Sequence, residues 1–88
     1  MRIYWTKQFK KDYKLLTKRG LDVEELDFII KMIVSRNSLP KRNKDHELYG
    51  VWIGHRECHI RSDWLLIYRI YDDTLELVRT GTHSDLFV

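Results

Sequence analysis

Residues 56–80 read RECHIRSDWLLIYRIYDDTLELVRT, and this stretch decides the fold. Polar pairs at Ser62-Asp63 and Asp72-Asp73 cut it into three runs rich in aliphatic and aromatic residues, Arg56 to Arg61, Trp64 to Tyr71 and Thr74 to Thr80. Each run has strand length and strand composition. Connections this short leave neighbouring strands only one way to pair, antiparallel. Just upstream, Leu48 to Ile53 reads as a further strand, closed by Gly54.

Before Pro40 the period is helical instead. Ile3 to Trp5 reads as a short strand, and Thr6 follows as a helix cap, its hydroxyl able to accept a first-turn N–H. That helix runs to about Lys18, with Gly20 as its left-handed stop. Phe9, Tyr13 and Leu16 form its core face. Lys7, Lys11, Lys14 and Lys18 form a stripe opposite, a spacing that an ordinary solvated face also produces. Asp22 and Glu25 resemble a capping box, and the second helix extends to about Arg36, burying Leu26, Ile29, Ile30 and Ile33. The order β-α-α-β-β-β-β predicts an α+β domain. Its two N-terminal helices pack on one face of a mostly antiparallel sheet of four to five strands, and the other face is left for a ligand.

The chain has 88 residues and a globular composition, and is read as a single domain, 1–88, with one small core. No apolar run approaches the roughly 18 residues of a membrane span. The opening Met-Arg-Ile-Tyr-Trp leads straight into charged sequence, without a secretory signal. A cytoplasmic location with no membrane partner is therefore expected. One cysteine, Cys58, excludes an internal disulfide and a thiolate zinc cage, and reads as a small buried apolar residue rather than a nucleophile. The net charge is +3, and seven Lys/Arg against one acid, Asp12, precede Gly20. Such an imbalance fits an anionic partner.

Four histidines, His46, His55, His59 and His83, exceed expectation for this length. Histidine exchanges protons near neutral pH, and strand ends can gather residues distant in sequence. Alternation puts Glu57, His59 and Arg61 on one face of their strand and Arg56, Cys58 and Ile60 on the other. With Cys58 toward the helices, His59 lies on the open face; alternation leaves the direction of Arg79 undecided. His55 and His59 stand roughly 13 Å apart on a strand, too far to share an ion, so no metal is expected. The reaction suited to His, Asp and Arg is RNA cleavage through the 2′-OH. A base takes the hydroxyl proton, the oxygen attacks phosphorus, and an acid protonates the leaving 5′-oxygen. No cofactor is required. Trp64 and Phe87 are aromatics that can stack on splayed bases, although Trp64 at a strand start and Phe87 at the chain end also suit the core.

Four stretches resemble one family. Lys44-Asp45-His46-Glu47-Leu48-Tyr49-Gly50 is similar to the Lys-Asp-His-x-Leu-x-Gly motif of YafQ-type toxins of the RelE/ParE superfamily. Arg56-Glu57-Cys58-His59-Ile60 resembles their second histidine strand, and Asp63-Trp64-Leu65-Leu66-Ile67-Tyr68 their Asp-Trp-x-Leu-Ile-Tyr motif. Arg79-Thr80-Gly81-Thr82-His83-Ser84-Asp85-Leu86-Phe87 is similar to their C-terminal Arg-Thr-Gly-Thr-His-x-x-Leu-Phe. Order and spacing agree from Lys44 onward; earlier, only the strand-helix-helix pattern does.

The resemblance implies a RelE-like fold and a type II toxin that cleaves messenger RNA in the ribosomal A site. It also implies neutralisation by a cognate antitoxin of the DinJ/RelB kind. Carried over, the catalytic positions are His46, His59, Asp63 and His83. Arg79 falls where related toxins bind phosphate, and Phe87 positions the base. His83 is then the general acid, and Asp63 is the general base or orients it. His46 and His59 donate to the phosphorane and can exchange roles with Asp63. The alternative is a non-nucleolytic ParE-like toxin acting on DNA gyrase, against which the histidine set argues.

Overall fold

The computed structural model describes residues 1–87. Its elements are β1 (Arg2–Trp5), α1 (Lys7–Lys18), α2 (Val23–Val34), β2 (His46–Glu47), β3 (Arg56–Arg61), β4 (Trp64–Tyr71), β5 (Thr74–Gly81) and α3 (His83–Leu86), with 3₁₀ turns at Lys41–Asn43 and Gly50–Trp52. The five strands form one sheet in the order β1-β5-β4-β3-β2. Every neighbouring pair is antiparallel except β1 and β5, which run parallel. A parallel pair needs a long crossover, and here everything from α1 to β4 lies between its members.

Thr6 caps α1 by accepting from Phe9 N at 3.0 Å, and its hydroxyl donates to the Val78 carbonyl at 3.1 Å, so one side chain starts the helix and pins it to β5. Asp22 caps α2 through Glu24 N. The reciprocal half of the expected capping box is absent, because the Glu25 carboxylate accepts two hydrogen bonds from Arg61, at 2.6 and 2.8 Å. A charge-assisted bidentate pair is stronger than a bond to one backbone N–H. α2 stops at Val34, two residues short of the expected end, with Arg36 in the left-handed region at φ 60°.

The expected strand over Leu48 to Ile53 does not form. Only His46 and Glu47 pair with β3. Gly50 takes a φ of 67°, and Ile53 N bonds back to the Gly50 carbonyl, closing a tight turn. A run rich in Leu, Val and Ile looks like a strand, but Tyr49, Val51 and Ile53 are exposed, so nothing holds them flat against a core.

The main core lies between the helices and the sheet. Phe9, Leu16, Leu26, Ile29, Ile30 and Ile33 meet Cys58, Trp64, Leu66, Tyr68, Leu75 and Leu77. Cys58 is fully buried there, and desolvation pushes its thiol well above the ordinary range, so it is inert. The opposite face is not bare. Leu65, Ile67 and Leu86 form a second small cluster, covered by Leu48, Trp52 and Val78. β4 is buried on both sides, which explains why Trp64 to Tyr68 is a continuous apolar run rather than an alternating one.

Two register shifts break the alternation, one in the β3–β4 ladder at His59/Arg61 and one in the β4–β5 ladder at Ile67/Tyr68. The first leaves Ile60 unpaired and turns Arg61 toward Glu25 of α2, away from the face it was expected to share with His59. The second leaves Val78 as the extra residue, so that Thr80, which pairs with Leu66 and bonds Trp64, faces the same core as Leu77 three positions earlier. Bulges commonly re-aim side chains beside functional sites.

Candidate active site

His83 opens α3, a single turn fixed by a reciprocal capping box. The Thr82 hydroxyl accepts from Asp85 N at 3.1 Å, while the Asp85 carboxylate accepts from Thr82 N at 2.9 Å. Arg19, in the turn after α1, donates to the same carboxylate at 2.9 and 3.4 Å. Arg19 first and the Thr82 amide second hold the Asp85 carboxyl down at about 2. Leu86 seals the turn against Leu65 and Ile67. Sequence reading missed this helix because its four residues carry no period; the signal was Thr82 followed three residues later by an acid.

Asp63, in the β3–β4 turn, accepts from both the His83 backbone N–H, at 3.0 Å, and the ring Nδ1, at 2.7 Å. These two bonds, the backbone one first, hold the Asp63 carboxyl below its ordinary value. An ionised carboxylate can only accept, so Nδ1 carries the proton and Nε2 is left free. The geometry therefore places Asp63 where it orients His83, the expected acid, whereas the sequence reading had it serve as the general base or orient that base.

His59 is next to His83, with ring centroids 5.9 Å apart. Glu57 stands on the same face of β3, its Oε1 4.0 Å from His59 Nε2 and its Oε2 3.3 Å from His46 Nε2. Glu57 is 5% exposed, and its Oε1 has no hydrogen-bond partner among the described residues. His46 Nδ1 lies 2.6 Å from the Lys44 carbonyl, which can only accept. His46, Glu57, His59, His83 and Asp63 thus stand in a row, with ion-pair contacts from Glu57 to His46 and His59 and a hydrogen bond from His83 to Asp63. Glu57 was not singled out from sequence, although alternation had placed it beside His59.

The other expected site residues divide. Phe87 is 41% exposed and lies 6.1 Å from the His83 ring and 6.3 Å from that of Trp52. Trp52 is a neighbour that the strand reading of its segment had hidden. Trp64 must be corrected. It is 3% exposed, its indole N–H donates to the Thr80 hydroxyl at 3.0 Å within the core, and no face is free for a base. Arg79 is held by Asp12 of α1, through Nε at 2.7 Å and Nη2 at 3.2 Å, while Asp12 also accepts Thr80 N at 3.1 Å. β1 ends opposite Leu77, so Asp12 supplies the acceptor that β5 lacks beyond it. Among the described residues the His55 ring bonds only the carbonyls of its own turn, Trp52 and Ile53.

Ligand atoms of Glu57, His59 and His83 lie within 4.8 Å of one another. Two imidazoles and a carboxylate suit a first-row transition ion, so a set other than the widely spaced His55 and His59 could hold one. Among the described residues no helix is long and apolar enough to cross a membrane.

The chain is similar to known proteins along its whole length. The mRNA interferase toxin YafQ of Escherichia coli K12 is 41% identical over 86 residues, covering 97% of this chain and 94% of that one. A crystallised complex of Escherichia coli DinJ and YafQ contains a chain 40% identical, with a TM-score of 0.92 and full coverage of both. A copper-bound point mutant of a Helicobacter pylori toxin is 38% identical, with a TM-score of 0.95 and 99% coverage of each chain. The family model for the bacterial toxin of type II toxin–antitoxin systems, YafQ, matches residues 1–88, and the chain belongs to that family.

Proposed function

We propose that this chain is the toxin of a type II toxin–antitoxin pair and acts as an mRNA interferase, an endoribonuclease using acid–base chemistry. The observation that carries the reading is the row of side chains from His46 to Asp63, beside the exposed Phe87. A base in the His46–Glu57–His59 group takes the 2′-OH proton. The 2′-oxygen then bonds to phosphorus, and the bond from phosphorus to the 5′-oxygen breaks. His83 Nε2 protonates that leaving oxygen. The products are a 2′,3′-cyclic phosphate and a 5′-hydroxyl end. Asp63 keeps His83 in the tautomer that directs Nε2 outward and stabilises the imidazolium. The base at the cut stacks on Phe87, and Arg79 contacts phosphate through Nη1, the nitrogen its pair with Asp12 leaves unused. Exposed lysines on α1 attract the RNA backbone.

The single domain, residues 1–88, works in the bacterial cytoplasm on messenger RNA presented in the ribosomal A site, and a DinJ/RelB-like antitoxin neutralises it. The solved complex of an Escherichia coli relative with DinJ supports that partner. A Helicobacter pylori relative is copper-bound; if this chain took up copper, Glu57, His59 and His83 would be the residues to hold it, and the ion would then occupy nitrogens the proton transfers need.

Induction of this protein and of His83→Ala in a bacterial host, with cuts in a reporter transcript mapped by primer extension, tests the proposal. Codon-phased cuts within translated sequence, lost in the variant, are expected. Growth arrest with an intact transcript would refute the nuclease reading.

A further inference from the structure

We propose that Arg19, in the turn joining α1 to α2, is a positioning residue for RNA cleavage: by clamping Asp85 it fixes α3 and so sets the line along which His83 presents Nε2. The inference rests on the ribonuclease reading above and deepens it.

Isolated surface ion pairs usually contribute little, so the weight lies in what this one holds. α3 has four residues and cannot be stable by itself, yet it supplies His83 and is followed directly by Phe87. Its fixed points are the buried Leu86, the bonds from His83 to Asp63, and the Asp85 carboxylate. That carboxylate is the node. Its Oδ2 receives both Thr82 N and Arg19 Nη1 at 2.9 Å, and its Oδ1 faces Arg19 Nη2 at 3.4 Å. The backbone crowds the node from behind: a Cβ on Gly81 would stand 2.9 Å from Oδ2 and 3.0 Å from the Asp85 Cβ.

Arg19 is itself well anchored. Its N–H caps α1 through the Leu15 carbonyl, Gly20 follows at a φ of 83°, and Leu21 N closes the turn onto the Leu16 carbonyl. The clamp therefore ties the helical layer on one side of the sheet to the short helix that carries the acid on the other. Asp63 alone cannot set the His83 direction, since it sits in an exposed two-residue turn. Loss of Arg19 leaves the capping box and Leu86 in place, so α3 loosens without unfolding. A misplacement of about 1 Å in an acid can cost on the order of 100-fold in rate.

The test compares wild type, Arg19→Ala, Arg19→Lys and Asp85→Asn in single-turnover cleavage on programmed ribosomes. Hydrogen exchange at the His83 amide is followed in the same proteins. Arg19→Ala is expected to slow cleavage roughly 10- to 100-fold. Its half-saturating concentration should stay within about twofold, and the His83 amide should exchange roughly tenfold faster. Arg19→Lys recovers part of both effects. Asp85→Asn, which keeps an oxygen for the Thr82 amide, loses as much as Arg19→Ala, and the double variant loses no more. Wild-type cleavage by Arg19→Ala would overturn the proposal. So would a rate loss accompanied by a raised half-saturating concentration and an unchanged His83 amide, which would make Arg19 an RNA contact. If wild type cuts no RNA, the nuclease reading has failed, and the amide exchange still decides whether the clamp exists.

Discussion

Replacing Asp12 with alanine should cost about 3 kcal/mol of stability. Asp12 is 7% exposed and accepts four hydrogen bonds, from Gln8 Nε2, Arg79 Nε and Nη2, and Thr80 N. The Thr80 amide is buried and lies beyond the end of β1, so it has no other acceptor; an orphaned buried N–H costs about 1–3 kcal/mol. The Arg79 side chain, 24% exposed, keeps some water, so losing its charged partner costs about 1–2 kcal/mol rather than the about 3–5 of a fully buried pair. Alanine returns roughly 0.5 kcal/mol of helix propensity. For a chain of this length total stability is about 4–13 kcal/mol, so the change should be plain in a urea titration with an unchanged slope. Asp12→Asn keeps an acceptor for Thr80 and should lose about half as much. The cycle with Arg79→Ala should show a coupling of at least about 1 kcal/mol. If Asp12→Ala lies within about 0.5 kcal/mol of wild type, the buried pair does not hold β5 to α1, and the account of Arg79 as held by Asp12 fails with it.

Three further outcomes follow from the site. Gly81→Ala pushes a methyl against Asp85, so cleavage should fall roughly tenfold or more, whereas the same change at Gly54, where a Cβ meets nothing but the φ of 87° strains it, should cost stability and leave cleavage by the folded protein within about twofold; equal rates for the two folded variants would contradict this. Asp63 and Asp85 both have depressed carboxyl pKa values, so their contribution is fully present above the unfolded value of about 3.9 and is lost only as pH falls through the lower folded values. Slow exchange at the His83 amide, which Asp63 accepts, should therefore persist at about pH 4 and be lost only at lower pH, and loss already at about pH 5 would show the contacts are not formed. Copper(II) should inhibit cleavage by capturing Glu57, His59 and His83, with chelator restoring the rate; inhibition that survives His59→Ala would place the ion elsewhere.

The apolar periods at Phe9 and Leu16, at Leu26 to Ile33, and through the run at Trp64 to Tyr68 determined both helices, the last three strands and which face of α2 is buried. These are local properties, since a 3.6-residue or two-residue repeat states which side must leave water. Thr6, Asp22 and the turn pairs at Ser62-Asp63 and Asp72-Asp73 likewise announced element ends through their own chemistry. The four motifs brought the histidines, Asp63 and Phe87 to notice together. Three things depended on packing between elements. A bulge in the β3–β4 ladder turned Arg61 to Glu25, Asp12 of α1 took Arg79, whose direction alternation had left open, and a shift of one residue in a ladder has no signature in one strand alone. The false strand at Leu48 to Ile53 had the right composition but no core to lie on, and Trp64 had the aromatic chemistry of a base platform but not the exposure. The buried Glu57 between His46 and His59, and the Arg19–Asp85 clamp across 66 positions, arise because strand pairing and helix packing bring distant segments together, and distance in space, unlike period along the chain, exists only once the chain has folded.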